Sequence, residues 1–112
     1  MSIYKNDDPQ YLKIALDSII IDQTLKPAEV VIVGDGPVPE SLTNAVRTGT
    51  ARGKEEGIEV RFLPQDHNRG LGEALRIACE NCRYDYIARM DSDDISLPDR
   101  FEKQMRVFDE HP

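Results

Sequence analysis

Glu29-Val30-Val31-Ile32-Val33-Gly34-Asp35-Gly36 is a nearly continuous β-branched run that stops at an acidic glycine turn. Runs of this kind belong to strands covered on both faces, because alternation disappears when neither side meets water. Lys26-Pro27 breaks the chain before the run and Pro37 follows the turn after it, so it reads as one central strand. Upstream, Ile3 and Tyr4 read as the tail of a first strand. Asp8-Pro9 then offers an N-cap and a first-turn proline to a helix from about Pro9 to Gln23, with Leu12, Ala15, Leu16, Ile19 and Ile20 on one face.

Downstream, Pro39 to about Glu56 reads as a weakly amphipathic helix, with Leu42, Ala45 and Val46 toward a core and Thr48, Gly49 and Gly53 lowering its helix propensity. Ile58 to Leu63 alternates apolar and polar, as a strand near a sheet edge does. The polar loop Gln65 to Gly70 leads into a helix carrying Leu71, Ala74, Leu75, Ala78 and Cys82 on one side. Tyr84 to Met90 reads as a fourth strand that ends in Asp91-Ser92-Asp93-Asp94. Leu97-Pro98-Asp99 starts a last helix with an apolar stripe of Phe101, Met105 and Phe108. Strands alternating with helices predict an α/β fold with a Rossmann-like parallel sheet.

The 112 residues, 39% of them apolar, suit one domain with one core. A net charge of -7 and the lack of a basic stripe exclude a nucleic-acid reader, which needs clustered Lys and Arg. Acidic residues can still hold a diphosphate when a divalent cation lies between them and the phosphates. The longest apolar runs are far below the roughly 18 to 20 residues of a membrane span, and the first residues lack a signal-peptide pattern, so a cytoplasmic location is expected. Cys79 and Cys82 fall near a helix end, and His67 and His111 are far apart, so inert thiols are expected in place of a zinc site or a redox pair.

Ligands of open parallel sheets bind beyond the carboxyl ends of the strands, where Asp35 and the Asp91 to Asp94 group both fall. Three carboxylates within four residues repel one another, which favours either solvent or a bound cation. In an extended chain Asp91 and Asp93 face the same side and share an oxygen-ligand cation, with Ser92 opposite. The same residues also suit a solvated turn or the cap of the next helix.

Four segments in order resemble family 2 glycosyltransferases of the GT-A fold. They are Tyr4-Lys5-Asn6 with Ala15-Leu16-Asp17-Ser18-Ile19 and Gln23-Thr24; Val31 to Gly36; Asn68-Arg69-Gly70-Leu71-Gly72-Glu73-Ala74-Leu75; and Tyr86 to Asp94 with Leu97-Pro98-Asp99-Arg100-Phe101. The resemblance spans nearly the whole chain and implies a sheet of order 3-2-1-4. It implies that Tyr4 and Asp35 contact a nucleotide base, that Asn68 and Gly70 border its pocket, and that Asp91 approaches the ribose or the metal. Asp93 would then be the direct ligand of Mg2+ or Mn2+ on the diphosphate, with Asp94 beside it.

The implied activity is sugar transfer, with inversion, from a nucleoside diphosphate sugar, a UDP-sugar above others, to an acceptor glycan or lipid-linked sugar. The implied setting is bacterial surface polysaccharide synthesis, peripheral to the inner membrane. Gly34-Asp35 departs from the two acids many members carry there, and Arg76 stands where another polar residue is common. The resemblance also places the general base and the acceptor half beyond Pro112, which makes this chain a donor-binding portion open to dimerisation. Two other readings stand beside it. Asp7-Asp8 after a first strand is also what a receiver-like Mg2+-binding signalling domain would carry, although a late strand-end Lys is missing. The other is a scaffold that binds nothing.

Overall fold

In the computed structural model the described residues are 1–110; His111 and Pro112 lie outside them. The chain runs β1 (Ser2–Ile3), α1 (Pro9–Ile20), β2 (Glu29–Gly34), α2 (Glu40–Glu55), β3 (Glu59–Pro64), α3 (Leu71–Asn81) and α4 (Arg100–Glu110). All three strands are parallel and lie in the order β1-β2-β3, with Ser2 against Val33 and Val30 against Val60. β2 is central, as its apolar run predicts.

The β-branched run of β2 divides between two cores. Val30 and Ile32 face a cluster with Ile3, Leu12, Leu16, Ile19, Ile20, Leu42, Val46 and Val60, contributed largely by α1 and α2. Val31 and Val33 face the other way, against Ala74 and Ala78 of α3. At about 1.5–3 kcal/mol per fully buried aliphatic side chain, the first face, with four fully buried Leu and Ile side chains from α1 and β2, dominates the stability.

Asp8 caps α1 by accepting the Gln10 N–H at 2.8 Å, with Pro9 at the first helical position. The helix stops at Ile20, three residues before the expected end. There Gln23, which is only 4% exposed, turns inward to donate to the Ser18 carbonyl at 3.0 Å and the Leu97 carbonyl at 2.7 Å, and accepts the Phe101 N–H at 3.2 Å. A buried amide needs such partners, and it finds them by leaving the helix.

In α2 the glycines that weaken its propensity are contact points. A Cβ on Gly49 would lie 2.9 Å from Leu16 Cδ1, and one on Gly53 would lie 2.7 Å from Val60 Cγ2. α2 therefore lies close against α1 at Gly49 and closer still to β3 at Gly53, where the Ile58 carbonyl oxygen would be 2.9 Å from a Cβ.

The expected fourth strand is not formed among the described residues. Tyr84 to Arg89 are exposed and outside any strand, and only Met90 reaches the first core. The strand beside which a fourth would pair, β1, is two residues long, and so short a ladder offers little backbone pairing. Tyr86 instead lays its ring on Phe108, with centroids 4.6 Å apart. The order of the three strands present is that of the expected 3-2-1, and the place of the fourth stays unfilled by a strand. α4 starts at Arg100, and of its apolar stripe Phe101 packs against the core while Phe108 stays exposed. Among the described residues no helix is long and apolar enough to cross a membrane.

Candidate functional site

Parallel strands bring their C-terminal ends to one edge of the sheet, and the loops leaving β1, β2 and β3 carry Tyr4, Asp35, Asn68 and Gly70, while Asp91, Asp93 and Asp94 lie between α3 and α4. Asp35 follows β2 directly. Its N–H donates to the Ile3 carbonyl at 2.8 Å, which fixes the turn against the end of β1. The side chain is largely buried, at 7% residue exposure, and Asp35 Oδ1 accepts the Arg69 N–H at 2.8 Å. Gly36, at φ +83°, then lies so close to the loop after β3 that a Cβ would meet Asn68 N at 2.8 Å. Only glycine permits both that backbone and that approach.

Asn68 and Gly70 meet Asp35 through this loop. Asn68 Oδ1 accepts the Gly70 N–H at 3.2 Å, and Gly70, at φ +95°, is the N-cap position of α3. Tyr4 leaves β1 with an exposed ring. Its N–H donates to Asp7 Oδ2 at 3.0 Å, and its carbonyl accepts the Asp7 N–H at 3.0 Å.

Asp91 to Asp94 form a turn, in place of the extended chain that would set Asp91 and Asp93 side by side. The Asp94 N–H donates to the Asp91 carbonyl at 3.1 Å, and the Asp91 N–H reaches Asp94 Oδ2 at 3.3 Å. The turn brings the third acid in as well: Asp91, Asp93 and Asp94 each offer a carboxylate oxygen, all within 4.8 Å of one another, and all three residues are exposed. Ser92 points away from them and donates to Asp7 Oδ2 at 3.0 Å, which joins the turn to the loop after β1. Arg89 Nη2 is 3.7 Å from Asp91 Oδ1.

An all-oxygen set suits Mg2+ or Mn2+. Ligand bonds of 2.0–2.1 Å in an octahedron need oxygens about 3 to 4 Å apart, so the three acids come within a side-chain rotation of sharing one cation. Behind the turn, Ser96 N–H donates to Ser18 Oγ at 3.1 Å, and Arg100 donates to Ser96 Oγ at 3.0 Å and to the Arg89 carbonyl at 2.8 Å. These bonds hold the segment on the end of α1.

A cavity of about 540 Å3 lies elsewhere. Val31, Ala78, Cys82, Tyr86 and Phe108 line it, and none of the candidate residues does. Its walls are mostly apolar, with Lys26 and Arg89 among them. A second cavity of about 480 Å3 has Asp94 on its wall, beside Arg89 and Lys103. Cys82 is half-buried, donates to the Ala78 carbonyl, and has its thiol pKa pushed up by burial and by the charge of Glu29, while Cys79 is a free, exposed thiol. A raised pKa agrees with an unreactive Cys82.

Asp7, Ser92 and Gln23 are named in the sequence motifs without these contacts being foreseen. A signal existed for Gln23, a lone amide just past an apolar helix face. Nothing in sequence spacing ties Asp7 to Ser92, 85 residues away.

The chain matches the family model "Glycosyl transferase family 2" over residues 1–112. It is similar to the amylovoran biosynthesis glycosyltransferase AmsE of Erwinia amylovora, 43% identical over all of this chain and 40% of the relative. It is also similar to two Escherichia coli proteins. One is a UDP-Gal:alpha-D-GlcNAc-diphosphoundecaprenol beta-1,3-galactosyltransferase, 35% identical over 91% of this chain and 35% of the relative. The other is the O-antigen biosynthesis glycosyltransferase WbnJ, 35% identical over 93% of this chain and 38% of the relative. The chain thus spans about 40% or less of the length of these relatives.

Proposed function

The chain belongs to glycosyl transferase family 2, and on that premise we propose that it is the donor-binding part of an enzyme that moves a sugar from a nucleoside diphosphate sugar to an acceptor hydroxyl. Membership in the family leaves no ground for the receiver-like reading. Asp8 is spent as the cap of α1 and Asp7 as an acceptor for Tyr4 and Ser92, so the acidic pair that motivated it has other work.

The observation that carries the proposal is the convergence of the Asp91, Asp93 and Asp94 carboxylates on a turn tethered to the loop after β1. We assign Asp93 as the direct ligand of Mg2+ or Mn2+, with Asp91 and Asp94 completing the protein's share. When bound, the cation would offset the charge that builds on the departing diphosphate. Asp35 keeps one carboxylate oxygen for a ring N–H of a uracil-like base, the other being held by the Arg69 N–H. The exposed Tyr4 ring offers a face to stack on the base, and Asn68 and Gly70 border the nucleotide.

A UDP-sugar is the donor we favour, with inversion at the sugar carbon. The acceptor would be a glycan or lipid-linked sugar in bacterial surface polysaccharide synthesis, as the names of the relatives support. The general base on the acceptor hydroxyl is assigned to chain beyond Pro112, and the site of action to the cytoplasmic face of the inner membrane. The purified chain is therefore expected to bind donor and to transfer little or no sugar.

Calorimetric titration with UDP and with UMP, each with Mn2+ and with chelator, tests the reading. A cation bridging protein and diphosphate makes UDP bind tighter than UMP only when Mn2+ is present. Equal affinities under all conditions would refute the assignment, and no binding of either would favour the scaffold reading.

A further inference from the structure

We propose that Asp7 is a positioning residue for the acidic turn, acting through the hydroxyl of Ser92. The inference rests on the reading of Asp91, Asp93 and Asp94 as cation ligands and adds what holds them in place.

Asp7 is itself held by the sheet. It closes a turn with Tyr4, donating its N–H to the Tyr4 carbonyl and accepting the Tyr4 N–H on Oδ2, both at 3.0 Å. Tyr4 follows Ile3, which is fully buried and bonded to Asp35. The Asp7 carboxylate is thus fixed to the backbone of Tyr4, the residue that follows the buried end of β1. The same Oδ2 accepts the Ser92 hydroxyl at 3.0 Å.

Ser92 lies between Asp91 and Asp93, and it is half-buried where both neighbours are exposed. The two bonds between Asp91 and Asp94 close the turn on itself, but neither reaches beyond it. The Ser92–Asp7 bond ties its middle to the sheet. Mutual repulsion of three carboxylates works to splay the turn, and this tether opposes it before any cation arrives. Asp8, next in the chain, takes no part, since its carboxylate caps α1.

The role is one of hydrogen bonding and not of charge. Both bonds fall on a single oxygen of Asp7, so an asparagine with its carbonyl oxygen in that place keeps them both, whereas alanine keeps neither.

The test is Mn2+ binding by the purified protein, read as loss of the free-ion EPR signal, for wild type, Asp7→Ala, Asp7→Asn, Ser92→Ala, the Asp7→Ala/Ser92→Ala double variant and Asp93→Ala. Circular dichroism melts check that each is folded. Residues that orient ligands typically change metal affinity by about 10–100-fold, and an exposed turn belongs at the low end. Asp7→Ala and Ser92→Ala are therefore each expected to weaken Mn2+ by about tenfold, the double variant no more than Asp7→Ala alone, and Asp7→Asn to bind close to wild type.

Wild-type affinity in Ser92→Ala, or Asp7→Asn as weak as Asp7→Ala, overturns the positioning role while the cation site stands. Failure of wild type to take up Mn2+, or Asp93→Ala binding as wild type does, overturns the cation site and the positioning role together. Should Asp7→Ala fail to fold, Ser92→Ala, which removes a single hydroxyl, decides the question.

Discussion

Glu29 and Glu59 stand directly opposite each other in the parallel ladder of β2 and β3, and the Arg83 guanidinium donates to both carboxylates. Like charges opposite one another destabilise a sheet, so Arg83 cancels a repulsion that the strand register creates. Arg83 also gives its N–H to Glu29 at 2.7 Å, and Arg61 Nη2 lies 3.5 Å from the same carboxylate. The Glu29 side chain is only 6% exposed while that of Arg83 is 51% exposed.

Removing Arg83 leaves Glu29 buried beside Glu59. Arg83→Ala is expected to lower the stability of the fold modestly, because solvent already screens the guanidinium. Urea unfolding at neutral pH measures it, and an unchanged midpoint would contradict the role.

The same cluster sets an acid dependence. Burial works to raise the Glu29 pKa, but the Arg83 N–H and guanidinium and the Arg61 charge outweigh it and hold the carboxyl below its usual value. A carboxylate with a lowered folded pKa contributes stability above its unfolded value of about 4.3, and that stability is lost as the pH falls through the folded value. Melting temperatures of Glu29→Gln should fall less steeply than those of wild type below about pH 4.3, and parallel curves would rule this out.

Gly53 and Gly49 predict opposite outcomes from one kind of change. A methyl group at Gly53 meets the Ile58 carbonyl oxygen at 2.9 Å as well as Val60, and backbone cannot yield cheaply. Gly53→Ala should therefore cost about 1–3 kcal/mol. At Gly49 the obstacle is the far end of the Leu16 side chain, which can rotate, and alanine gains about 1 kcal/mol of helix propensity. Thermal melts should show Gly49→Ala near wild type and Gly53→Ala clearly lower.

Gln23→Leu removes a buried hub. The Phe101 N–H loses its side-chain partner, at about 1–3 kcal/mol for a donor left unpaired, while the Leu97 carbonyl keeps the Arg100 N–H. Hydrogen exchange at Phe101 should accelerate more than at Leu12, whose N–H donates to the Asp8 carbonyl. Equal acceleration at both would mean the loss is global and the hub is not local.

Much of this fold could be read from local pattern. The unbroken β-branched run of β2, the Asp8-Pro9 start of α1 and the alternation in β3 are short-range signals, and each element formed within a few residues of its expected bounds. Tyr84 to Met90 carries the same kind of signal and formed no strand, because strand formation depends on a partner and β1 offers two residues. The glycines of α2 looked like weak helix and proved to be where α1 and β3 press closest, a fact about neighbours that propensity cannot contain. At the site, Asp35 follows β2 as its position in the sequence suggests, whereas the three late aspartates were placed at the end of a strand that did not form and come together in a turn. Asp7 and Ser92 gave no such signal, since each is an ordinary loop residue until the sheet brings them together.

The most direct test of the central claim is a calorimetric titration of Mn2+ and UDP into wild type and Asp93→Ala. Wild type should bind UDP with an affinity that depends on Mn2+. Loss of a direct ligand should weaken it beyond the roughly 10–100-fold that a supporting residue carries. UDP binding that is the same in both proteins, with or without Mn2+, would contradict the assignment of Asp91, Asp93 and Asp94 to the metal and the diphosphate.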